Sequence, residues 1–356
     1  MTNLNRRSFM VYKAAIVTLS IGAMFLTSCS PGTAGRDPVR PALREVPEHF
    51  VIGADHHIHI QSDEIMRSLT ELSEHVPAEF RRSMDSLPPV DAEAIINELD
   101  AAGIRMAAVL SAGFIAEMPE AADIWDDATR RSINMSENDY AAHQVALYPD
   151  RLRLFCSVNP LTDYAVAEIT RCQSELGATG VKLHFATSGV DLQNQQHLEQ
   201  ISTIAAHAAA LGMPLAIHLA NRNEDFGVQD VENFIGAVVV GNENLELYLL
   251  HMAGWGSSGS DPHAVLDAWI SALDGGVISG RRGIYFETSG SYTRRIDNTR
   301  LAEQIDALGA DRVFFGSDWP AILRPTYAAI NFWTHVPLDE ETLLDILDNR
   351  ALYFEE

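Results

Sequence analysis

The chain has 356 residues, 47% of them hydrophobic, so a sizeable core is available and wholesale disorder is excluded. Its formal net charge of -24 argues against a nucleic-acid partner, because phosphate binding needs a basic surface. Arginine supplies nearly all the positive charge, and lysine occurs only at Lys13 and Lys182.

Residues 1–28 read as a signal peptide. Arg6 and Arg7 precede an apolar run from Ala14 to Leu26, too short for a standard membrane span. The twin arginine followed by Ser-Phe-Met resembles a twin-arginine export signal, and Leu-Thr-Ser-Cys at 26–29 resembles a lipoprotein processing box. Together they predict cleavage before Cys29, a lipid on its thiol, and an exported protein anchored to a membrane of the cell envelope or periplasm. Residues 29–49, rich in Pro, Gly and Arg, read as the lipidated N-terminus and a linker.

From residue 50 to 356, short β-branched runs alternate with longer amphipathic ones. The strand-like runs are "FVIGADHHI", "IRMAAVLS", "LRLFCSVN", "TGVKLHF", "PLAIHLA", "LELYLLHMA", "GIYFETSG" and "RVFFGSDW". Strands apolar on both faces, alternating with helices, predict a parallel sheet, and eight of them predict a closed (β/α)8 TIM barrel. A doubly wound open sheet is the alternative, weakened by the lack of a Gly-rich fingerprint after the first strand. The excursion from Gln61 to Pro89 is a lid over the barrel mouth or an ordinary packed surface segment. Cys156 on a strand and Cys172 on a helix could pair in an exported protein, but with no disulfide framework indicated they read as two buried thiols.

Polar residues recur where strands end. His57 and His59 end the first, Lys182 and His184 the fourth, His218 the fifth, His251 the sixth and Asp318 the eighth, with Glu287 on the seventh. In a (β/α)8 barrel these ends converge on one mouth. His57 and His59, two apart on a strand, point to the same side and can grip one cation, while His56 faces the other way. His218 and Asp318 could complete the shell, and imidazoles with one carboxylate describe a catalytic zinc-type site. Singly, each is commonly a hydrogen-bonded core residue. A shared cation is the simplest reason for so many polar groups in one barrel.

In chain order, "DHHIHI", "GVKLH", "LAIHL", "LLHMAG" and "FGSDWP" resemble the amidohydrolase superfamily, nearest its amidohydrolase-related branch of metal-dependent hydrolases and decarboxylases. The resemblance covers most of the chain from residue 51, and the motifs are specific as a set and weak singly. It implies that His57 and His59 are the first-strand metal pair, His218 the fifth-strand ligand, His251 the sixth-strand histidine and Asp318 the final aspartate. In binuclear members a fourth-strand lysine, here Lys182, is carbamylated by carbon dioxide and bridges two metals. In mononuclear, decarboxylase-like members that strand does not ligate, and the sixth-strand histidine contacts substrate or water. One ion or two, zinc or another divalent metal, thus stays open; the nearer branch uses one. His184 is a substitute ligand or a substrate contact.

The activity so implied is hydrolysis of a C–N or C–O bond, in an amide, lactone or ester of a small molecule. A bound metal lowers the pKa of its water from about 15.7 toward about 7. Asp318 would accept the water's proton and pass it to the leaving group, while His251 polarises the scissile carbonyl. Arg294 and Arg295 could grip a substrate carboxylate or be solvated loop residues. Trp255 and Trp319 could wall an apolar pocket or simply pack. One alternative is a non-oxidative decarboxylase of a small organic acid on the same site. Another is a lipid-anchored binding protein without catalysis, which the complete ligand set disfavours. A homo-oligomer is left open.

Overall fold

Eight short apolar runs form eight strands: β1 (Ile52–Ile60), β2 (Ile104–Ser111), β3 (Leu152–Ser157), β4 (Gly180–His184), β5 (Leu215–His218), β6 (Leu247–Leu249), β7 (Ile284–Glu287) and β8 (Val313–Phe314). Every pairing is parallel and follows chain order. The protein is represented by a computed structural model, which describes residues 44–47, 50–76, 87–255, 261–292 and 298–355. The signal peptide, Cys29, nearly all of the linker and both Arg294 and Arg295 lie outside these described residues.

The sheet closes where β1 meets the chain beyond β8. His56 N–H donates to Phe315 O at 2.9 Å, Asp318 N–H to His57 O at 2.8 Å and His59 N–H to Trp319 O at 2.8 Å. The architecture is therefore the expected (β/α)8 barrel rather than an open doubly wound sheet. The outer layer includes α1 (Asp63–Ser73), α2 (Ala92–Ala102), α3 (Asp127–Val145), α4 (Ala165–Ser174), α5 (Gln195–Ala210), α6 (Val228–Phe234), α7 (Pro262–Asp274), α8 (Asn298–Leu308), α9 (Pro325–His335) and α10 (Glu340–Asp348). Several start on a side-chain cap: Asp91 accepts from Ala94 N–H, Asp126 from Thr129 N–H and Asp339 from Thr342 N–H. α3 starts earlier than the apolar spacing suggests, because Asp127–Ile133 is largely exposed and carries no core stripe.

Two apolar layers hold the barrel. The larger lies between sheet and helices and includes Ile58, Ile60, Val181, Trp269 and Phe286. The smaller gathers Ala54, Ala108, Phe155, Ala216, Tyr248 and Phe314 from six strands, which can meet only at the barrel axis. Ala351, Tyr353 and Phe354 of the C-terminal segment complete that inner layer.

The register of β1 against β2 shifts between Asp55 and Ile58, and this breaks the simple alternation. His56 consequently does not turn away from His57 as expected. Its ring packs on Phe314 at 4.5 Å and on Phe354 at 5.4 Å, within the inner layer. Its Nδ1 is 3.0 Å from Phe315 O, and its Nε2 accepts from Ala351 N–H. His56 is thus a hydrogen-bonded core residue, while the following half of β1 carries the pair His57 and His59.

The excursion after β1 holds α1, whose face of Ile65, Leu69 and Leu72 packs on Phe114, Ile115 and Met118 beyond β2. Among the described residues it is a packed segment beside the mouth, and it gives the cavity Leu69 and Leu87. Cys156 and Cys172 are not separate thiols. β3 lies directly under its own α4, their Cα atoms are 6.3 Å apart, and a disulfide joins them.

Two outcomes follow. Intact mass before and after reductant will differ by two hydrogens, and unfolding of a Cys156→Ser/Cys172→Ser variant will show a loss of about 3 kcal/mol, as for a loop of this length. The second concerns Glu137 of α3, which is buried and accepts from the N–H and Oγ of Ser62. Burial pushes its carboxyl up to about 7. The folded chain therefore holds a proton that the unfolded chain releases above about pH 4.3, and Glu137 lowers stability progressively from there to about pH 7. Glu137→Gln removes that slope, so relative to the native chain it will gain roughly 2–4 kcal/mol between pH 4 and pH 8 in denaturant titrations.

Candidate metal centre

The polar residues singled out from the sequence meet at the C-terminal mouth, around a cavity of about 370 Å³. His57, His59, Lys182, His184, His218, His251 and Asp318 all line it. Two of the strands that supply them stop short. β6 ends at Leu249, and His251, Met252 and Ala253 take φ values of 55°, 50° and 66°. β8 ends at Phe314, and Asp318 sits at φ 54°. Four non-glycine residues in the left-handed region cost roughly 1–3 kcal/mol each, and such strain concentrates at functional sites. It is the reason that the sequence pattern placed His251 and Asp318 on strands that do not reach them.

The innermost cluster is His57, His59 and Asp318. His57 Nε2 and His59 Nε2 lie 3.1 Å apart, and Asp318 Oδ1 is 3.3 Å from the first and 3.2 Å from the second. His251 Nε2 is 3.9 Å from Asp318 Oδ2. His57, His251 and Asp318 each offer a ligand atom within 4.8 Å of the other two.

The opposite ring nitrogens of these histidines face acceptors. His57 Nδ1 is 3.0 Å from Glu287 Oε2, His59 Nδ1 is 3.3 Å from Leu110 O, and His251 Nδ1 is 3.0 Å from Ser289 O. Glu287 is buried on β7, and besides His57 it accepts from Ser289 N–H, Ser289 Oγ at 2.8 Å and His251 N–H at 3.3 Å. Asp55, below, accepts from His57 N–H and Ser317 N–H and so ties β1 to the chain after β8. Burial pushes its carboxyl up to about 7.

This arrangement fits a divalent cation. A neutral imidazole that donates from Nδ1 presents a bare lone pair at Nε2. Two such lone pairs and a carboxylate oxygen converge at 3.1–3.3 Å. Donors about 2.1 Å from one ion stand roughly 3.0–3.4 Å apart. Burial holds His57, His184 and His218 well below the usual imidazole range, so they are neutral, and His57 and His218 are able to ligate. Burial would raise Asp318, but His57, His59 and His251 outweigh it and hold the carboxyl below its ordinary range. Asp318 Oδ1 and His218 Nε2 are buried without a hydrogen-bond partner, as donors awaiting a cation are.

Lys182 is fully buried on β4, and its Nζ has no hydrogen-bond partner. Burial pushes its ammonium down to about 7, against the pull of Asp318 and Glu287. His184 is engaged elsewhere, since its Nδ1 accepts from Thr187 N–H at 3.2 Å and caps the turn after β4. Its ring stacks between Phe114 at 4.8 Å and His218 at 4.1 Å. His218 therefore stands across the cavity beside His251, 4.8 Å from its ring, rather than in the innermost cluster.

Of the two readings open for Trp319, packing is the one that holds, and the substrate contact is not found. Trp319 packs against the outer core and lies outside the cavity lining, whereas Trp255 is part of that lining. Leu69, Phe114, Ile115, Met118 and Ile322 make the remaining wall largely apolar. Two partners went unrecognised in the sequence. Arg222, in the irregular chain after β5, lines the cavity and pairs with Glu120 at 2.5 Å, with no periodic signal to mark it. Ser289 follows Glu287 at the end of an apolar strand, and that buried acid was the one signal that could have found it.

Comparison with known proteins agrees with the fold. The solved structure of 2,6-dihydroxybenzoate decarboxylase from Rhizobium is similar at TM-score 0.59 and 18% identity, over 86% of this chain and 99% of that one. A dihydroxybenzoic acid decarboxylase from Polaromonas sp. JS666, with manganese and 2-nitroresorcinol bound, gives 0.59 and 20%, over 84% and 95%. A 5-carboxyvanillate decarboxylase from Novosphingobium aromaticivorans, with manganese, gives 0.58 and 17%, over 88% and 99%. No curated protein matches the sequence significantly. The profile of the amidohydrolase family matches residues 54–352, a span that holds every cluster residue, and the chain belongs to that family.

Proposed function

We propose that this chain is a metal-dependent decarboxylase of a small, unsaturated or aromatic carboxylic acid. The observation that carries this reading is the charge of the cavity. The chain has a net charge of -24, yet the described lining includes two basic side chains, Lys182, whose Nζ has no hydrogen-bond partner, and Arg222, which pairs with Glu120, against one carboxylate, Asp318, which belongs to the imidazole cluster. Such a lining favours an anion with an apolar body. The three similar structures are decarboxylases named for benzoate-type acids, which supports the same substrate class.

His57, His59 and Asp318 would hold the ion, with His218, whose Nε2 has no hydrogen-bond partner, as a further donor. When bound, the ion supplies Lewis-acid charge to substrate oxygens. Lys182 offers a second positive contact to the carboxylate. The apolar wall of Phe114, Ile115 and Met118 holds the rest of the molecule and keeps water from the reacting carbon. His251 moves the proton. With Nδ1 fixed on Ser289 O, its Nε2 faces the cavity, 3.9 Å from Asp318 Oδ2. Nε2 takes a proton from water and gives it to the carbon that bears the carboxylate. The C–C bond then breaks, its electron pair returns to the substrate, carbon dioxide leaves, and His251 is again the neutral ring.

Hydrolysis at the same centre is the second reading. It is favoured by Lys182, whose ammonium burial pushes down to about 7, so that the neutral amine, the form to which carbon dioxide can add, is within reach. We also propose export and lipid anchoring at Cys29, for which a Cys29→Ala variant lost from the membrane fraction is the check.

Protein loaded with manganese or zinc should release carbon dioxide from hydroxylated benzoates, cease to do so under chelator and recover when the ion returns. His251→Asn should lower kcat by about 10²–10⁴. Turnover of esters, lactones or amides without carbon dioxide release would overturn decarboxylation, and native mass spectrometry showing one carbon dioxide added at Lys182 would then mark the hydrolase. Lys182→Met separates binding from chemistry: a decarboxylase should show a raised KM with kcat little changed.

A further inference from the structure

Glu287 and Ser289 do not line the cavity, yet both reach the two histidines on which the site turns. Glu287 Oε2 takes His57 Nδ1 at 3.0 Å and His251 N–H at 3.3 Å. Ser289 Oγ donates to the same Oε2 at 2.8 Å and stands 3.2 Å from His57 Nδ1 and 3.0 Å from His251 Nδ1. Ser289 O is 3.0 Å from His251 Nδ1. A carbonyl only accepts, so His251 carries its proton on Nδ1. The N–H and Oγ of Ser289 and the N–H of His251 all donate to the Glu287 carboxyl, which makes it an acceptor for His57 Nδ1–H as well. The two residues thus fix both rings in one tautomer. Through His251 N–H, Glu287 also holds the first residue of the left-handed turn His251–Ala253.

Glu287 has little room to do otherwise. A Cβ built on Gly316 would meet, as its three nearest atoms, Oε1, Cδ and Cγ of Glu287. Glycine at 316 therefore leaves the space in which the carboxylate sits.

We infer that Glu287 and Ser289 are positioning residues that lock His57 and His251 as Nδ1–H imidazoles, so that both present a bare Nε2 to the cavity. The inference rests on the His57–Asp318 cluster as a metal centre, and not on which reaction occurs there. Outer partners of this kind are worth 10–100-fold in metal affinity.

The test uses the full chain, labelled with ¹⁵N-histidine and freed of metal. Ring signals are assigned with His57→Asn and His251→Asn, and zinc and manganese affinities come from competition with a chelator. In the native chain both rings should be Nδ1–H. In Glu287→Gln, whose amide can donate to His57 Nδ1, that ring should shift toward the Nε2–H form and metal affinity should fall 10–100-fold. Gly316→Ala should do the same by displacing Glu287, and Ser289→Ala, the mildest change, should disturb the His251 signal. Circular dichroism keeps folding separate from positioning. An Nε2–H ring at His57 in the native chain overturns the proposal. So does Glu287→Gln, or Ser289→Ala if the former does not fold, with native ring signals and affinity within twofold. A native chain that binds no metal refutes the metal reading, while the ring signals still decide the positioning role.

Discussion

Two imidazole lone pairs and an ionised carboxylate oxygen, packed within 3.1–3.3 Å of one another, set the terms for the rest of the barrel. Nothing within that cluster can donate a proton without breaking a bond on the far side of a ring. Left alone, the arrangement is repulsive, and burial removes the water that would soften it. It persists because the surrounding structure over-determines it. His59 is tied to β2 through Leu110 O, His57 to β7 through Glu287, and the backbone of Asp318 to β1 through His57 O. Each tether is a strand-to-strand link, so the same contacts that close the barrel also aim the donors. A bound cation would convert the repulsion into attraction, and would then be a structural partner of the mouth as well as a chemical one.

The backbone responds to the same demand. β6 and β8 have three and two residues, while β1 and β2 have nine and eight. Where the short strands stop, the chain turns through left-handed conformations that place His251 and Asp318 above the sheet rather than in it. That gives the cavity its depth. The stability to hold these turns comes from below, where the inner layer is sealed by Tyr353 and Phe354 and the outer layer by the helices. The barrel therefore divides along its axis, with apolar packing at the closed end and strain and uncompensated polar atoms at the open one.

Much of this was legible in the sequence because both signals are periodic. Alternating apolar runs give the strand count, and polar residues at the ends of those runs give the mouth. His57, His59, Lys182, His184, His218, His251 and Asp318 all reach one cavity for that reason. What was not legible depends on local departures from period. The register shift in β1 turns His56 inward, where strict alternation had turned it out. The capping of the turn after β4 occupies His184, and no spacing rule foretells a ring that accepts from Thr187. Trp319 is adjacent to Asp318, but the left-handed residue between strand and tryptophan sends the indole toward the outer core. Arg222 and Ser289 sit in irregular chain, where neither period applies. The disulfide shows the same limit: sixteen residues separate Cys156 and Cys172, and only the stacking of α4 on β3 brings them together.

The charge of the molecule and the charge of its cavity point in opposite directions, and that contrast bears on function. Forty-nine acids against twenty-five basic residues leave an anionic exterior. A small anion gains nothing from the distant field of such a protein, which is screened within about 8 Å at physiological ionic strength. It is drawn only once inside the mouth, where Lys182 is desolvated and the described carboxylate, Asp318, is committed to the imidazole cluster. In low dielectric those few charges act strongly over short range. Discrimination between anion and neutral therefore resides in the cavity itself, at the level of the residues that would hold the ion and the carboxylate. Aspartate and imidazole lone pairs without an ion would repel that same anion. An ion held there would thus reconcile an electron-rich cluster with the anionic substrate proposed for it, and would tie specificity to the centre itself.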